Sequence, residues 1–420
     1  MLGDYVFTTT LTLWVVTTIA RGQSWASFAV SGLLIASTLP IFLIGPFAGV
    51  FADRWEKRRT LLWMDALQAL LILSLLLVTV LDSFSALPGG RLPLLWQLSI
   101  TYGIVFCANA CGQFFNPSLF ALFGDIVDES YRTRASSLLQ TMASLALIIG
   151  PPLGSVLFFA VGVYWSFVLN ALSFLVSFAA LLAVHIPQRT GRTEPNMPAH
   201  FFHELRKGIS FFVNNRVLVA LLVTTVLVLP SEGALSALNV FFVTQNLHTS
   251  LSLYGLLNTA IGVGIAVGAA LSGFIAQRIG VTRTFWLPLA LLGVVFLVYG
   301  RVTSFAPALV LLFFFGLLAG ASNVVFSPIS LHVTPREFIG RVSSIHNPAL
   351  NASYILSLAL VGYLDSTLLH GFHTTILGIS FGPVDTIFTV TSILAILGGF
   401  SSMIGLRGVK IAKEGEQLDK

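Results

Sequence analysis

Two acids stand inside long apolar runs: Glu232 in VLVLPSEGALSALNV and Asp4 in GDYVFTTTLTLWVV. An acidic side chain near the centre of a membrane-spanning helix costs about 2.5–3.5 kcal/mol even on insertion scales, so its presence asks for a reason. A carboxyl withdrawn from water is costly to ionise. It can load a proton on one side of a barrier, shed it on the other, and admit a polar or cationic solute in between. Both acids would then face a central cavity. The same acids could instead sit at an aqueous mouth or pair structurally, and the sequence leaves both readings open. Uncharged polar residues recur at helical spacing as well: Asn109, Gln113 and Asn116 in one run, Asn347, Asn351 and Tyr354 in another. Each set falls on one helix face, which suits a water-filled cavity and interhelical hydrogen bonding equally.

The elements that must carry these residues follow from composition. The chain is 56% hydrophobic and 9% charged, whereas a soluble domain is roughly 45–50% apolar and about 25% charged. Long unbroken apolar runs lack the alternation that barrel strands need, so helices are expected. Twelve stretches of spanning length can be read, at about 3–20, 26–50, 60–81, 94–121, 137–160, 164–186, 215–245, 251–278, 284–303, 305–330, 343–368 and 384–406. The expected fold class is an all-α membrane protein with twelve transmembrane helices in two six-helix pseudo-symmetric bundles. Residues 1–186 form the first bundle, 187–214 a cytoplasmic linker with an amphipathic helix over His200–Phe212, and 215–420 the second bundle with a short tail. All but Arg21, Arg91 and Arg301 of the 22 basic residues fall on one set of links. Positive residues stay cytoplasmic, so both termini are expected inside a plasma (inner) membrane. The first span opens at residue 2 with no basic residue before it, the pattern of a start that lies upstream, and it lacks the features of a secretory signal.

Other polar residues read as structural. Cys107 and Cys111, one turn apart, are expected to be two small buried hydrophobes. Asp65, Asp365 and Asp385 lie near span ends where water is available. Asp125, Asp128 and Glu129 precede Arg132 and Arg134, which predicts a salt-bridged hinge between the fourth and fifth spans.

An internal repeat is visible. GVFADR, Gly49 to Arg54, is echoed by GFIAQR, Gly273 to Arg278. FNPS and RASS in the first half are matched, in the same order, by FSPI and RVSS in the second. Parallel duplication of a six-helix unit is a transporter design.

The stretch GVFADRWEKRR resembles the signature loop of the major facilitator superfamily, Gly-x-x-x-Asp-Arg-x-Gly-Arg-Arg/Lys. Gly49, Asp53, Arg54, Lys57 and Arg58 match it, with Glu56 in place of the second Gly. FFNPSLFALFGDIVDESYRTRASSL and GDYVFTTTLTLWVV resemble the macrolide-efflux and enterobactin-exporter branch. The resemblance implies that Gly49, Asp53, Arg54 and Arg58 form a cytoplasmic gate. A topology anchor is the plainer reading of the same charges, above all for Lys57 and Arg59. IIGPPLGS resembles an antiporter motif, with Gly150, Pro151 and Gly154 in register. Its prolines should bend the helix and its glycines let another helix approach.

No phosphate-binding Gly-x-x-x-x-Gly-Lys-Ser/Thr loop occurs, and the eight His sit mostly in links or at span ends, which speaks against an ATP-driven pump and a haem enzyme. The expectation is a monomeric, non-enzymatic secondary transporter without cofactors or nucleic-acid partners. It exports amphipathic small molecules such as macrolide-like drugs or siderophores in exchange for protons, by alternating access. An uncoupled facilitator, or an importer of a small solute such as a sugar, is the alternative.

Overall fold

The computed structural model describes residues 1–83, 92–183, 209–376 and 379–408, with side chains except at 49, 50, 52–54, 81–83, 376, 379 and 380. The expected linker helix over His200–Phe212 and the tail past residue 408 fall largely outside the described residues, of which 209–214 are helical.

The chain is nearly all helix. Helix α1 (Leu2–Trp14) continues as a π-helical turn, Val15–Ile19. Then come α2 (Ala26–Leu43), α3 (Gly45–Arg54), α4 (Lys57–Ser83), α5 (Leu94–Ile126), α6 (Glu129–Val161) and α7 (Val163–Ala183). After the linker follow α8 (Arg216–Gln245), α9 (Tyr254–Ile279), α10 (Val281–Tyr299), α11 (Phe305–Val333), α12 (Ile339–Tyr363) and α13 (Pro383–Gly405). A two-stranded antiparallel hairpin, β1 (Thr374–Ile376) with β2 (Ile379–Phe381), precedes α13. Among the described residues, ten helical segments are long and apolar enough to cross a membrane. Helix α1 has only 13 residues before its π turn, and α12 carries Arg341, His346, Asn347 and Asn351.

Local chemistry sets the breaks. The stretch expected as one span over 26–50 divides at Ile44, because Pro46, at the start of α3, has no N–H to continue the ladder. Asn215 caps α8, its Oδ1 accepting from the N–H groups of Val217 at 3.0 Å and Leu218 at 3.3 Å.

Two compact units are present. The first comprises Met1–Thr193 with two short later segments, Ser250–Leu256 and Gly362–Leu368; the second comprises the remainder. In the first, α1 packs on α6 and α7, α4 on α5 and α7, and α2 on α5. Phe167, fully buried, meets Phe7 and Trp14 edge-on. The later segments join this unit through named contacts: the Gly255 N–H donates to Ser155 Oγ at 3.0 Å, and the hydroxyls of Ser27 and Ser366 lie 3.3 Å apart. The core of the second unit is aromatic, with Phe242, Phe296 and Tyr299 each against Phe388 and the Tyr299 hydroxyl donating to Asn239 at 2.5 Å. Gly264 and Gly268 of α9 face Gly316 and Gly320 of α11, so the two backbones touch where any Cβ would intrude.

Candidate functional site

The second unit places Glu232 two residues after Pro230 on α8. Proline removes the N–H that would bond the carbonyl four residues back, that of Val226. Helix α12 supplies a substitute: the Ser353 hydroxyl donates to the Val226 oxygen at 3.5 Å, and the Ser357 hydroxyl to the Pro230 oxygen at 3.3 Å. Gly233 closes the contact, since a Cβ there would collide with Ser357. The serines therefore stitch α12 to a locally weakened α8 beside the acid. Glu232 itself is half-buried, and among the described residues it has no hydrogen-bond or ion-pair partner.

On the same helix α12, Asn347 is exposed while Asn351 and Tyr354 are half-buried. The Asn351 amide donates to the Asn347 carbonyl at 3.0 Å. The α5 set behaves alike in the first unit. Asn109 donates to the Val105 oxygen at 2.9 Å and Gln113 to the Asn109 oxygen at 3.4 Å, with Asn116 exposed. In these bonds the amides answer their own helix.

Asp4 lies in the first turn of α1, with its side chain 50% exposed and 2.9 Å from the Met1 amino group. Two acids that composition and spacing had placed near water are buried: Asp385, which accepts from Asn246 and from the Gly382 N–H at the start of α13, and Asp65. Asp65 is 2% exposed, its Oδ2 has no hydrogen-bond partner among the described residues, and it lies within electrostatic reach of Asp4 and beside the Ser177 hydroxyl of α7. The signal was available in the sequence. If the helix begins at the basic cluster, residue 65 is eight residues past Lys57, about 12 Å along the axis.

The side chains of Asp53 and Arg54, and the surroundings of Gly49, lie outside the described residues, although all three belong to α3. Arg58 donates to the Leu182 oxygen at 2.9 Å. A cation at the C-terminal end of α7 is well placed against the helix dipole. Lys57 pairs with Asp125 at 2.6 Å, joining the start of α4 to the end of α5. Arg132 does not enter the expected acidic-basic hinge. It donates instead to the Gly124 oxygen at 3.1 Å and the Val127 oxygen at 3.3 Å, because the last carbonyls of α5 need donors. Cys107, expected to be buried, is exposed and Cys111 is half-buried.

Gly150, Pro151 and Gly154 are all buried. A Cβ at Gly150 would strike Tyr5, and one at Gly154 would come within 2.8 Å of the Val6 oxygen. The motif is thus the surface on which α1 lies against α6. Thr10 fastens it, donating to the Gly154 oxygen at 3.3 Å or to Ser166 Oγ at 2.9 Å.

Residues 2–364 match the family described as transmembrane secretion effector. The chain belongs to this family of major facilitator transporters. It is a multi-pass membrane protein and a transporter. An uncharacterized MFS-type transporter of Bacillus subtilis, YkuC, is 22% identical over 359 residues, 82% of this chain and 78% of that one. Macrolide efflux protein A of Enterococcus faecalis is 22% identical over 196 residues, 47% of this chain and 57% of that one. The crystal structure of the nucleoside transporter NupG superposes with a TM-score of 0.69 at 12% identity, covering 97% of this chain and 99% of that one. That likeness is one of fold.

Proposed function

We propose that the chain is a proton-coupled exporter of amphipathic small molecules in the plasma (inner) membrane, working by alternating access of two six-helix bundles. Twelve spans are reached when Leu2–Ile19 and Ile339–Leu368 are added to the ten apolar helices. Residues 1–186 and 215–420 are the bundles, 187–214 is the linker, both termini are cytoplasmic, and the transporter acts as a monomer. Glu232 is the proton carrier, with Asp65 and Asp4 as acids of the first bundle. Asn109, Gln113, Asn116, Asn347, Asn351 and Tyr354 line the aqueous path. Gly49, Asp53 and Arg54 gate the cytoplasmic side, while Arg58 holds the gate loop to α7.

The observation that carries the reading is Glu232: an acid inside an apolar helix, unpaired among the described residues, next to a proline whose lost bond is replaced by a neighbouring helix. A purely structural acid would have a cation or donor beside it. The name of the efflux relative supports the outward direction and the substrate class. The test is accumulation of a fluorescent macrolide-like amphiphile in cells that overproduce the protein. Accumulation is expected to fall severalfold, and a protonophore should restore it. Accumulation that rises with the protein present would mark an importer; steady-state accumulation that the protein leaves unchanged would mark an uncoupled facilitator, which can only equilibrate its substrate.

A further inference from the structure

Helix α12 of the second unit holds a buried imidazole near its start. His346 is 5% exposed, and its Nε2 has no hydrogen-bond partner among the described residues. Its ring stacks on that of Phe326 of α11, with centroids 4.7 Å apart and planes 22° from parallel. Phe326 leans in turn on the buried Phe285 of α10. Both stacked residues lie about 10 Å from the turn that joins α11 to α12.

The internal repeat separates packing from chemistry at this position. RASSLL of the first half aligns with RVSSIH of the second, so the counterpart of His346 is Leu139, and FNPS aligned with FSPI sets Phe115 opposite Phe326. An apolar side chain therefore serves at the equivalent place. What the histidine adds is a group that changes charge between pH 5 and 8.

The uncharged ring suits these surroundings and the charged ring does not. An imidazolium here would be a buried charge without a counter-ion, which costs far more than one bare nitrogen on a neutral ring. The charged and titratable groups of the elements around it are Arg283 of α10, His332 at the end of α11, Arg336 and Glu337 of the joining turn, Arg341 of α12 and Glu232 of α8. Among the described residues none of them forms an ion pair or hydrogen bond with His346. The first four are exposed, and Arg341 stands over the Phe338 ring at 5.1 Å. Arg216 of α8 and Arg278 of α9 are engaged elsewhere, with the Ile404 oxygen and the Phe274 ring. The set is mainly basic, so it offers a second positive charge little welcome.

We propose that His346 is a pH-sensitive clasp: uncharged, it holds the start of α12 against Phe326 of α11, and on taking up a proton it leaves the stack for water and releases that part of the helix. The same face of α12 carries Ser353 and Ser357, whose hydroxyls stitch α12 to α8 beside Glu232. A loosened start therefore acts on the helix that supports the acid.

Proton uptake belongs to the released form, so the clasp holds above the ordinary histidine value of about 6.5 and weakens as pH falls below it. For a released imidazole of that value, the opening equilibrium rises about tenfold from pH 7.5 to pH 5.5. Hydrogen–deuterium exchange of the full-length protein in phosphatidylcholine nanodiscs, corrected for the intrinsic pH dependence of exchange, measures it. In the wild type, protection of peptides covering Ile339–Asn347 is expected to be about tenfold lower at pH 5.5 than at pH 7.5, with peptides of α13 unchanged. His346→Leu, which installs the residue of the first repeat, and His346→Phe, which keeps an aromatic stack, should retain their protection at both pH values. The readout is local opening and not flux, so it is independent of whether Glu232 carries protons. Equal wild-type protection at the two pH values, or the same acid-induced loss in both variants, would overturn the clasp.

Discussion

Glu232→Gln should cut proton-gradient-driven transport at least tenfold while the protein inserts and folds as well as wild type. Glutamine keeps the shape and polarity of the side chain but has no proton to exchange. A pH step of one unit supplies about 1.4 kcal/mol per proton, enough for a tenfold substrate gradient with one proton per substrate. Without the carrier that gradient has nothing to act on, although substrate can still move downhill. Removing an intramembrane acid should not lower stability, because the acid itself was costly there. Loss of driven flux with an unchanged or raised melting temperature therefore points to function and not to misfolding. Asp65→Asn is the companion variant. Uptake into inverted membrane vesicles under an imposed pH gradient measures both, and full driven uptake in Glu232→Gln would remove that residue from the mechanism.

Gly154→Leu is expected to damage folding in the first unit. A Cβ at this position would lie 2.8 Å from the Val6 oxygen and 3.1 Å from Thr9 Cβ, and the remaining three carbons of leucine have nowhere to go but into α1. Overpacking of this kind typically costs about 1–3 kcal/mol, and separating the helices also strains the Thr10 bonds to Gly154 and Ser166. The variant should melt several degrees below wild type and give less folded protein on size-exclusion chromatography. Gly103→Leu is the control, since nothing lies within 4 Å of a Cβ there. Equal melting of the two variants would show that the α1–α6 contact is not the tight one.

Much of this architecture was legible because lipid leaves a chain few choices. A run such as Phe305–Val333 must be helical to satisfy its own backbone, and Pro151 with Gly150 and Gly154 announced a close approach without naming α1 as the partner. What escaped were features set by neighbours distant in sequence. Asp65 looked like an end-of-helix acid because the apolar run starts near it, yet α4 begins at Lys57 and α7 covers the site. Arg132 sits among acids in the sequence, but the open carbonyls at the end of α5 take its protons. Cys107 has no local mark that distinguishes a covered face from an open one. The division at Ile44, by contrast, was written in Gly45–Pro46 and needed only the missing N–H to be counted.

The exchange of protons for substrate is tested most directly by following both at once. Proteoliposomes containing the purified protein and a lumenal pH dye are loaded with a macrolide-like amphiphile and diluted into substrate-free buffer. As substrate leaves, protons must enter through the same cycle, whichever way the protein is oriented. The expected result is lumenal acidification that requires substrate and disappears in Glu232→Gln. Substrate leaving the wild-type vesicles at the same rate with no change in lumenal pH would contradict proton coupling and leave an uncoupled facilitator.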